Sequence, residues 1–201
     1  MDGVVKAKGE IISGLSEQGQ VVLNLDDPHV SEWQVLAKPR RVWSFSLSNP
    51  KASVYASDIK RTPRGSRFTM HLGKQQRFVD LQLLGQHNVA NALAAAAAAL
   101  ALGLSLDQVV QGLGQARPYQ GRLVSHQLSH NCCVIDDTYN ANLGSVKAAI
   151  DVLQECHGQR CFMLGDLGEL GEQELQLHQR IGAQVAAAGI EHFYGFGVLA
   201  A

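Results

Sequence analysis

The 201-residue sequence predicts an α/β protein in two parts, and three observations support this. Residues 41–85 hold four segments in which apolar and polar residues nearly alternate, a pattern typical of strands with one buried face. The stretch "NVANALAAAAAALALG" after residue 87 is rich in alanine, the strongest helix former. From residue 132 onward, short apolar runs alternate with helical segments, which favours parallel strands joined by helical crossovers.

The first part begins with a predicted helix over residues 4–15, a buried strand over 21–25 and a weakly helical segment over 29–36. The four alternating segments "RVWSFSL", "SVYASDIKR", "SRFTMHLG" and "RFVDLQLLG" follow, separated by turn signals such as Asn49-Pro50. They predict a small antiparallel set of strands.

Two helices close the first part. The alanine-rich helix ends near Gly103, a residue typical of helix C-termini, and Ser105 is the predicted N-cap of the helix in "SLDQVVQGLGQ". Pro118 and Gly121 then interrupt the pattern. This break predicts a domain boundary, with one domain over residues 1–121 and a second over 122–201.

The second part reads as strand 132–135, helix 144–155, strand 161–164, helix 172–188 and strand 192–194. Ligands of open parallel sheets bind outside the carboxyl ends of the strands. Those ends are "DDTYNAN", "GDLGELG" and "GFG", so we expect their polar residues to converge. The alternative is that Asp137 or Asn142 only caps the next helix. The residues expected to converge are Asp136, Asp137, Tyr139, Asn140, Asn142 and Asp166.

Three further candidates lie outside these loops. Asn88 and Asn91 in "GQHNVANA" are three residues apart at a helix start, so both amides can face one polar or anionic ligand. The alternative is an asparagine N-cap beside a buried His87. Arg122 in "RPYQGRL" offers a planar set of donors for a phosphate or ribose, although an arginine beside glycine is by itself a weak signal. Lys8 lies in "KAKGEI", whose charged side chains are by default solvated.

The bulk composition excludes several classes of protein. A net charge of -1 gives no general affinity for nucleic acid or anionic membranes. The longest apolar stretch, 89–104, is too short to span a bilayer, and no secretory signal is apparent. The four cysteines lack zinc-ligand spacing and are expected to be reduced, mostly buried thiols of a cytoplasmic protein. We expect a monomer.

The motifs taken together resemble one family. Gly-x-His-Asn-x-x-Asn-Ala-Leu-Ala, Gly-Arg-Leu, "DDTYNAN" and "LGDLGELG" are similar to motifs of the Mur ligases of peptidoglycan synthesis. "DDTYNAN" with "GDLGELG" resembles the branch that adds D-alanyl-D-alanine to UDP-N-acetylmuramoyl-tripeptide. The resemblance implies that residues 1–121 form the latter part of a central ATPase domain, with a mixed sheet, small antiparallel strands and helices. Residues 122–201 would begin a Rossmann-like, parallel-sheet C-terminal domain.

The family resemblance also implies a reaction and a set of site residues. The reaction is ATP-dependent amide formation through an acyl phosphate, with ATP and Mg²⁺ as cofactors. Lys8 matches a lysine that is carbamylated in several Mur ligases, and it would be catalytic and, when carbamylated, a magnesium ligand. The implied ATP-binding residues are Asn88, Asn91, Arg122 and Asp137. The implied substrate-binding residues are Tyr139, Asn140, Asn142 and Asp166.

Two other interpretations stay open on the sequence. One is a related enzyme, either a sibling Mur ligase or a folylpolyglutamate synthetase. The other is a non-catalytic nucleotide-binding module, because the phosphate-binding motif Gly-x-x-x-x-Gly-Lys-Ser/Thr does not occur in the 201 residues. For the same reason we expect the chain alone to be inactive as a ligase.

Overall fold

A computed structural model describes residues 2–200, and the chain divides into two compact units between Arg117 and Pro118. The boundary expected from the sequence, between residues 121 and 122, lies four residues further along. Arg122 therefore belongs to the same compact unit as Asp137 and Tyr139.

The N-terminal unit contains one five-stranded sheet in which the strands follow chain order. The first three strands are parallel and the last three are antiparallel. The strands are β1 (Gln20–Asn24), β2 (Arg41–Ser46), β3 (Val54–Thr62), β4 (Gly65–Leu72) and β5 (Gln75–Leu81). The expectation of an antiparallel set holds for β3 to β5 and is wrong for β2, which pairs in parallel with both neighbours. Alternation identifies a strand but does not determine the direction of its partner.

Four helices accompany this sheet: α1 (Asp2–Ser13), α2 (Val30–Ala37), α3 (Gln86–Ala101) and α4 (Leu106–Gln115). After α3, Gly103 adopts a left-handed conformation with φ of 93°, and its N–H donates to the Leu100 carbonyl at 3.0 Å. Leu104 N–H donates to the Ala99 carbonyl at 3.1 Å, completing a Schellman motif. Ser105 caps α4, as predicted, by accepting a hydrogen bond from the backbone N–H of Gln108.

The main core of this unit lies between the sheet and helices α3 and α4. Ala96 and Ala97 are fully buried, and their small side chains let α3 lie close against the strands. Burying a large apolar side chain stabilises a fold by roughly 1.5–3 kcal/mol, so the large members of this cluster dominate its stability. The largest fully buried side chains in this cluster are Phe68, Met70, Leu81, Leu93, Val54, Val79 and Val89.

The C-terminal unit contains two small sheets, β6 (Val124–Gln127) with β7 (Cys133–Asp136), and β8 (Cys161–Gly165) with β9 (His192–Phe196). Helix α5 (Leu143–Gln154) follows β7, whereas a 3-10 turn (Gly171–Gln173) and α6 (Glu174–Ala187) connect β8 to β9. The β8-α6-β9 crossover is parallel, as predicted.

The expected parallel sheet does not extend to β7 within residues 118–200, where the pairing partner of β7 is the antiparallel strand β6. Sequence reasoning missed β6 because it is four residues long and mostly polar. The connecting turn uses His130 and Asn131 with φ of 60° and 58°, a conformation these residues tolerate better than most.

The core of the C-terminal unit forms where α5 and α6 pack with the end of β8. Its buried members are Val146, Ile150, Leu164, Leu167, Ile181, Val185 and Ile190. Across residues 2–200, no helix has both the length and the apolar character needed to cross a bilayer.

The four cysteines are free thiols, as expected, but the expectation that most are buried is wrong. Cys132, Cys133 and Cys161 are exposed and Cys156 is half-buried. An apolar run indicates a strand, yet Cys133 and Cys161 belong to two-stranded sheets that leave these side chains accessible.

Candidate functional site

Residues that follow the unit boundary contact the loop after β7 and form a group that we call the junction cluster: Tyr119, Gly121, Arg122, Asp137 and Tyr139. The guanidinium carbon of Arg122 lies 4.3 Å from the centroid of the Tyr139 ring. Tyr139 N–H donates to the Gly121 carbonyl at 2.9 Å, and Asp137 Oδ1 accepts the Leu123 N–H at 3.2 Å. The structure therefore brings together three residues singled out from two separate motifs.

Local sequence chemistry explains how the loop reaches this position. Asp136 ends β7, and its Oδ1 accepts both the backbone N–H of Thr138 at 3.1 Å and the Thr138 hydroxyl at 2.7 Å. This is an Asx-type turn, in which the side chain replaces a backbone acceptor and bends the chain away from the strand direction. Asp136 thus shapes the loop, whereas Asp137 and Tyr139 contact residues 121–123.

The junction cluster has the donor and acceptor groups that a nucleotide needs. Arg122 is exposed, and among residues 118–200 its guanidinium forms no ion pair and no hydrogen bond. A guanidinium presents a rigid, permanently charged set of N–H donors that matches phosphate oxygens. Asp137 is half-buried and accepts the N–H of Leu123, the residue after Arg122, and a carboxylate can also accept hydrogen bonds from ribose hydroxyls. The pair therefore offers complementary groups to one anionic, hydroxylated ligand.

The two asparagines of the same loop differ in what they contact. Asn142 is the N-cap of α5: its Oδ1 accepts Ser145 N–H at 3.0 Å, and its own N–H donates to Ser145 Oγ at 2.9 Å. The capping alternative is therefore confirmed for this residue. Asn140 is exposed.

Asp166, the candidate from the loop after β8, lies in a second group of contacts. Its carboxylate accepts the N–H groups of Val198, Leu199 and Ala200 at 2.8–2.9 Å. These bonds, led by the one from Val198, lower the pKa of Asp166 below its ordinary value. Gly197 has φ of 122°, and a Cβ there would overlap the Asp166 carboxylate. Asp166 thus joins the carboxyl ends of β8 and β9 by binding backbone.

His178 belongs to the same group and was not singled out from the sequence. It is buried in α6, its Nε2 accepts the Leu167 N–H at 3.0 Å, and its Nδ1 donates to the Glu174 carbonyl at 2.7 Å. These two bonds require the neutral ring with its proton on Nδ1. The signal was present in the sequence, because His178 shares helical spacing with the buried Ile181 and Val185.

In the N-terminal unit, Asn88 and Asn91 share one face of the first turn of α3. Asn91 Nδ2 donates to Asn88 Oδ1 at 3.2 Å, and Asn88 Nδ2 donates to the Leu84 carbonyl at 2.7 Å. The N-cap is Gly85, which provides no side chain, so the interpretation of Asn88 as an N-cap is wrong. His87 is only half-buried. Asn91 carries the more exposed of the two amides.

Lys8 is exposed on α1 and lines an open cavity of about 760 Å³ in the N-terminal unit. Asp27 and Trp33 also line it, and most of the remaining wall is aliphatic. Lys6 and Glu10 are exposed, as expected of a solvated face. Within the described residues, no three histidine, cysteine or acidic side chains form a group suited to a metal ion.

Comparison with known proteins identifies relatives over nearly the whole chain. The UDP-N-acetylmuramoyl-tripeptide–D-alanyl-D-alanine ligase of Escherichia coli K12 is 41% identical over 195 residues, which are 97% of this chain and 43% of that protein. A crystal structure of MurF from Acinetobacter baumannii superimposes with a TM-score of 0.92 and 37% identity, covering 98% of this chain and 43% of that one. This chain thus spans about 43% of the length of these relatives.

A more distant structure shares the same fold. MurF ligase from Thermotoga maritima, solved in complex with ADP, matches with a TM-score of 0.83 at 20% identity and covers 97% of this chain and 44% of that one. The Mur ligase middle domain matches residues 1–99, and the domain described as "Mur ligase, glutamate ligase domain" matches residues 121–199. The chain therefore belongs to the Mur ligase family.

Proposed function

We propose that this chain is part of an ATP-dependent ligase that joins D-alanyl-D-alanine to UDP-N-acetylmuramoyl-tripeptide in peptidoglycan synthesis. The observation that carries the proposal is the 41% identity with the Escherichia coli ligase of that activity along 97% of this chain. The free thiols suit a reducing compartment, and we propose the cytoplasm as the site of the reaction.

The proposed reaction forms an amide in two steps. The terminal carboxylate of the tripeptide attacks the γ-phosphorus of ATP, and ADP leaves, giving an acyl phosphate. The amine of D-alanyl-D-alanine then attacks the acyl carbon, loses a proton and displaces inorganic phosphate. Both steps bring anions together, so catalysis depends on positioning and on positive charge near the transferred group.

We propose nucleotide-binding residues in each unit, taken separately. Arg122 would bind a phosphate oxygen or the ribose, and Asp137 would accept ribose hydroxyls, because the junction cluster places the two side chains on adjacent backbone segments. Asn91 would bind the base through its exposed amide, with Asn88 holding that amide in place at 3.2 Å. The structure of the Thermotoga maritima relative with ADP supports nucleotide binding by this fold.

The set of residues that we propose to bind the dipeptide is smaller than the set predicted from the sequence. Asn140 stays a candidate because it is exposed in the loop after β7. Asn142 caps α5 and Asp166 binds three backbone N–H groups, so we propose that both maintain the loops rather than bind substrate. The Tyr139 ring contacts the Arg122 guanidinium.

Magnesium, when bound, would neutralise phosphoryl charge, and the family resemblance assigns a carbamylated Lys8 to it. Among the described residues, no group of three histidine, cysteine or acidic side chains is suited to hold the ion. Lys8 stays a proposed catalytic residue on the strength of the resemblance and of its exposed position in the wall of a cavity that Asp27 also lines.

A substrate panel with the full-length ligase tests the proposal. Phosphate release should require ATP, UDP-N-acetylmuramoyl-tripeptide and D-alanyl-D-alanine together, and mass spectrometry should detect the joined pentapeptide. Phosphate release with a folate and glutamate, and none with the peptidoglycan precursors, would replace the proposal by the folylpolyglutamate synthetase alternative.

The 201-residue chain alone should neither hydrolyse ATP nor ligate, because its sequence contains no phosphate-binding Gly-x-x-x-x-Gly-Lys-Ser/Thr loop. Phosphate release by the purified chain, measured with ATP and magnesium, would show that other residues bind the β- and γ-phosphates.

A further inference from the structure

The ring of Tyr139 contacts two side chains from the segment that opens the C-terminal unit. The Arg122 guanidinium carbon lies 4.3 Å from the ring centroid, within the range of a cation–π contact. The Tyr119 ring meets the Tyr139 ring edge-on, with centroids 5.9 Å apart and planes at 87°. This is the T-shaped geometry that aromatic pairs favour. Tyr139 therefore fixes Arg122 on one side and is itself supported by Tyr119.

The backbone of residues 119–122 forms a turn that places Arg122 beside the Tyr139 ring. Arg122 N–H donates to the Tyr119 carbonyl at 3.0 Å, closing a four-residue turn in which Gly121 has φ of 73°. A turn with a positive φ at its third residue requires glycine there for low strain. A Cβ at Gly121 would also lie 2.9 Å from the backbone nitrogen of Tyr139, with which Gly121 already shares a hydrogen bond. The turn thus holds Arg122 against the ring, and any residue larger than glycine at position 121 would disturb it.

We propose that Tyr139 is a positioning residue that holds the Arg122 guanidinium ready for the nucleotide; this inference rests on the proposed function. An exposed arginine samples many rotamers, and ordering it when a ligand binds costs conformational entropy. The ring face restricts that freedom beforehand while leaving the N–H edges of the guanidinium to the ligand. This role uses the aromatic face of Tyr139 and makes no use of its hydroxyl.

Steady-state kinetics of Tyr139→Phe and Tyr139→Leu in the full-length ligase test this role. Tyr139→Leu should raise the KM for ATP about two- to fivefold, as expected for loss of an exposed cation–π contact, and leave the KM for D-alanyl-D-alanine unchanged. Tyr139→Phe should match the wild type in both constants. Equal defects in the two variants, or a raised KM for the dipeptide, would overturn the proposal by assigning Tyr139 to substrate binding through its hydroxyl.

A double-mutant cycle tests more strictly whether Tyr139 acts through Arg122. In an Arg122→Ala background, Tyr139→Leu should cause no further rise in the KM for ATP, because the side chain that it positions is absent. Additive effects of the two substitutions would overturn the proposal. A wild-type enzyme that is inactive on the peptidoglycan precursors would instead count against the proposed function.

A spectroscopic measurement tests the contact independently of activity. Nuclear magnetic resonance of arginine-labelled full-length protein should show a ring-current shift on the Arg122 side-chain resonances. The shift should persist in Tyr139→Phe and disappear in Tyr139→Leu. An Arg122 signal that is the same in all three proteins would overturn the proposal whatever the substrate proves to be.

Discussion

The loops after β7 and β8 look alike in sequence and differ in how their acidic side chains are used. After β7, Asp137 accepts a hydrogen bond from the N–H of Leu123, the residue that follows the exposed Arg122, at 3.2 Å. After β8, Asp166 accepts three backbone N–H groups, and the buried His178 accepts a fourth from Leu167. In the proposed function, Asp137 of the first loop contributes to a ligand site, whereas Asp166 of the second loop holds backbone.

This difference shows that a polar residue at a strand end is insufficient to define a ligand site. The carboxylate of Asp166 meets donors from the neighbouring strand end, so it stabilises the protein in the same way that a helix cap does. The guanidinium of Arg122 meets an aromatic face, which orders it without using its N–H donors. A polar residue can bind a ligand only where its neighbours leave its hydrogen-bonding groups unoccupied.

The largest expected effect is on ATP use after Arg122→Ala in the full-length ligase. Loss of a charge-assisted hydrogen bond costs about 1.5–3 kcal/mol, which corresponds to an increase in the KM for ATP of about 10- to 150-fold. Arg64→Ala, which changes an exposed arginine beyond the junction cluster, is the matched control and should leave the constant unchanged. Equal kinetics of Arg122→Ala and wild type would remove Arg122 from the site.

Removal of the imidazole in His178→Ala should destabilise the C-terminal unit. The substitution leaves the Leu167 N–H without its acceptor in a buried position, which costs about 1–3 kcal/mol. Urea unfolding would measure the loss, and hydrogen exchange at Leu167 should become faster. The exposed His157→Ala is the control, expected to change stability by less than about 0.5 kcal/mol. Similar results for both variants would show that His178 does not hold the loop after β8.

Asp166→Asn should have a smaller effect on stability and none on nucleotide binding. The amide oxygen keeps one acceptor but loses the charge that strengthens the bonds from residues 198–200. Hydrogen exchange should therefore accelerate at these three amides. Unchanged exchange there would contradict the assignment of Asp166 to backbone support.

The smallest expected effect is a dependence of folding stability on pH that arises from Glu191. This residue immediately precedes β9, whereas the Asp166 carboxylate binds backbone just after β9. Hydrogen bonds from Arg160, first from its side chain, lower the pKa of Glu191 from 4.5 to about 2. Because the folded-state pKa is depressed, the ionised carboxylate stabilises the fold above about pH 4.5 and this contribution is lost as the pH falls toward 2.

Glu191→Gln should accordingly flatten the acid side of the stability curve. Urea unfolding at intervals between pH 5 and pH 2 would measure the difference from the wild type. Parallel curves for the two proteins across that interval would show that the Arg160–Glu191 pair does not carry the pH dependence.

Sequence reasoning succeeded where local chemistry decides the structure. The alanine-rich helix, the end of α3 at Gly103 and the cap at Ser105 each follow from short-range preferences. The resemblance to the family assigned Arg122 and Asp137 to one nucleotide, and this assignment stays a prediction. The family itself was identified correctly from those motifs.

The errors arose where partners distant in sequence decide the structure. The parallel pairing of β2 and the antiparallel pairing of β7 depend on which strand lies alongside, and alternation does not specify this. The contacts of Asp166 with residues 198–200 span more than thirty positions, and nothing in "GDLGELG" indicates them. Tyr119 was missed because its contact with Tyr139 likewise depends on the tertiary fold.

The contrast between the two loops is tested most directly by the KM for ATP of Asp137→Asn and Asp166→Asn, measured side by side in the full-length ligase. Both substitutions keep one side-chain oxygen as an acceptor, so each removes charge with little change in shape. We predict a raised KM for ATP in Asp137→Asn and a wild-type value in Asp166→Asn. A wild-type value for Asp137→Asn together with a raised value for Asp166→Asn would reverse the roles of the two loops and contradict the proposed site.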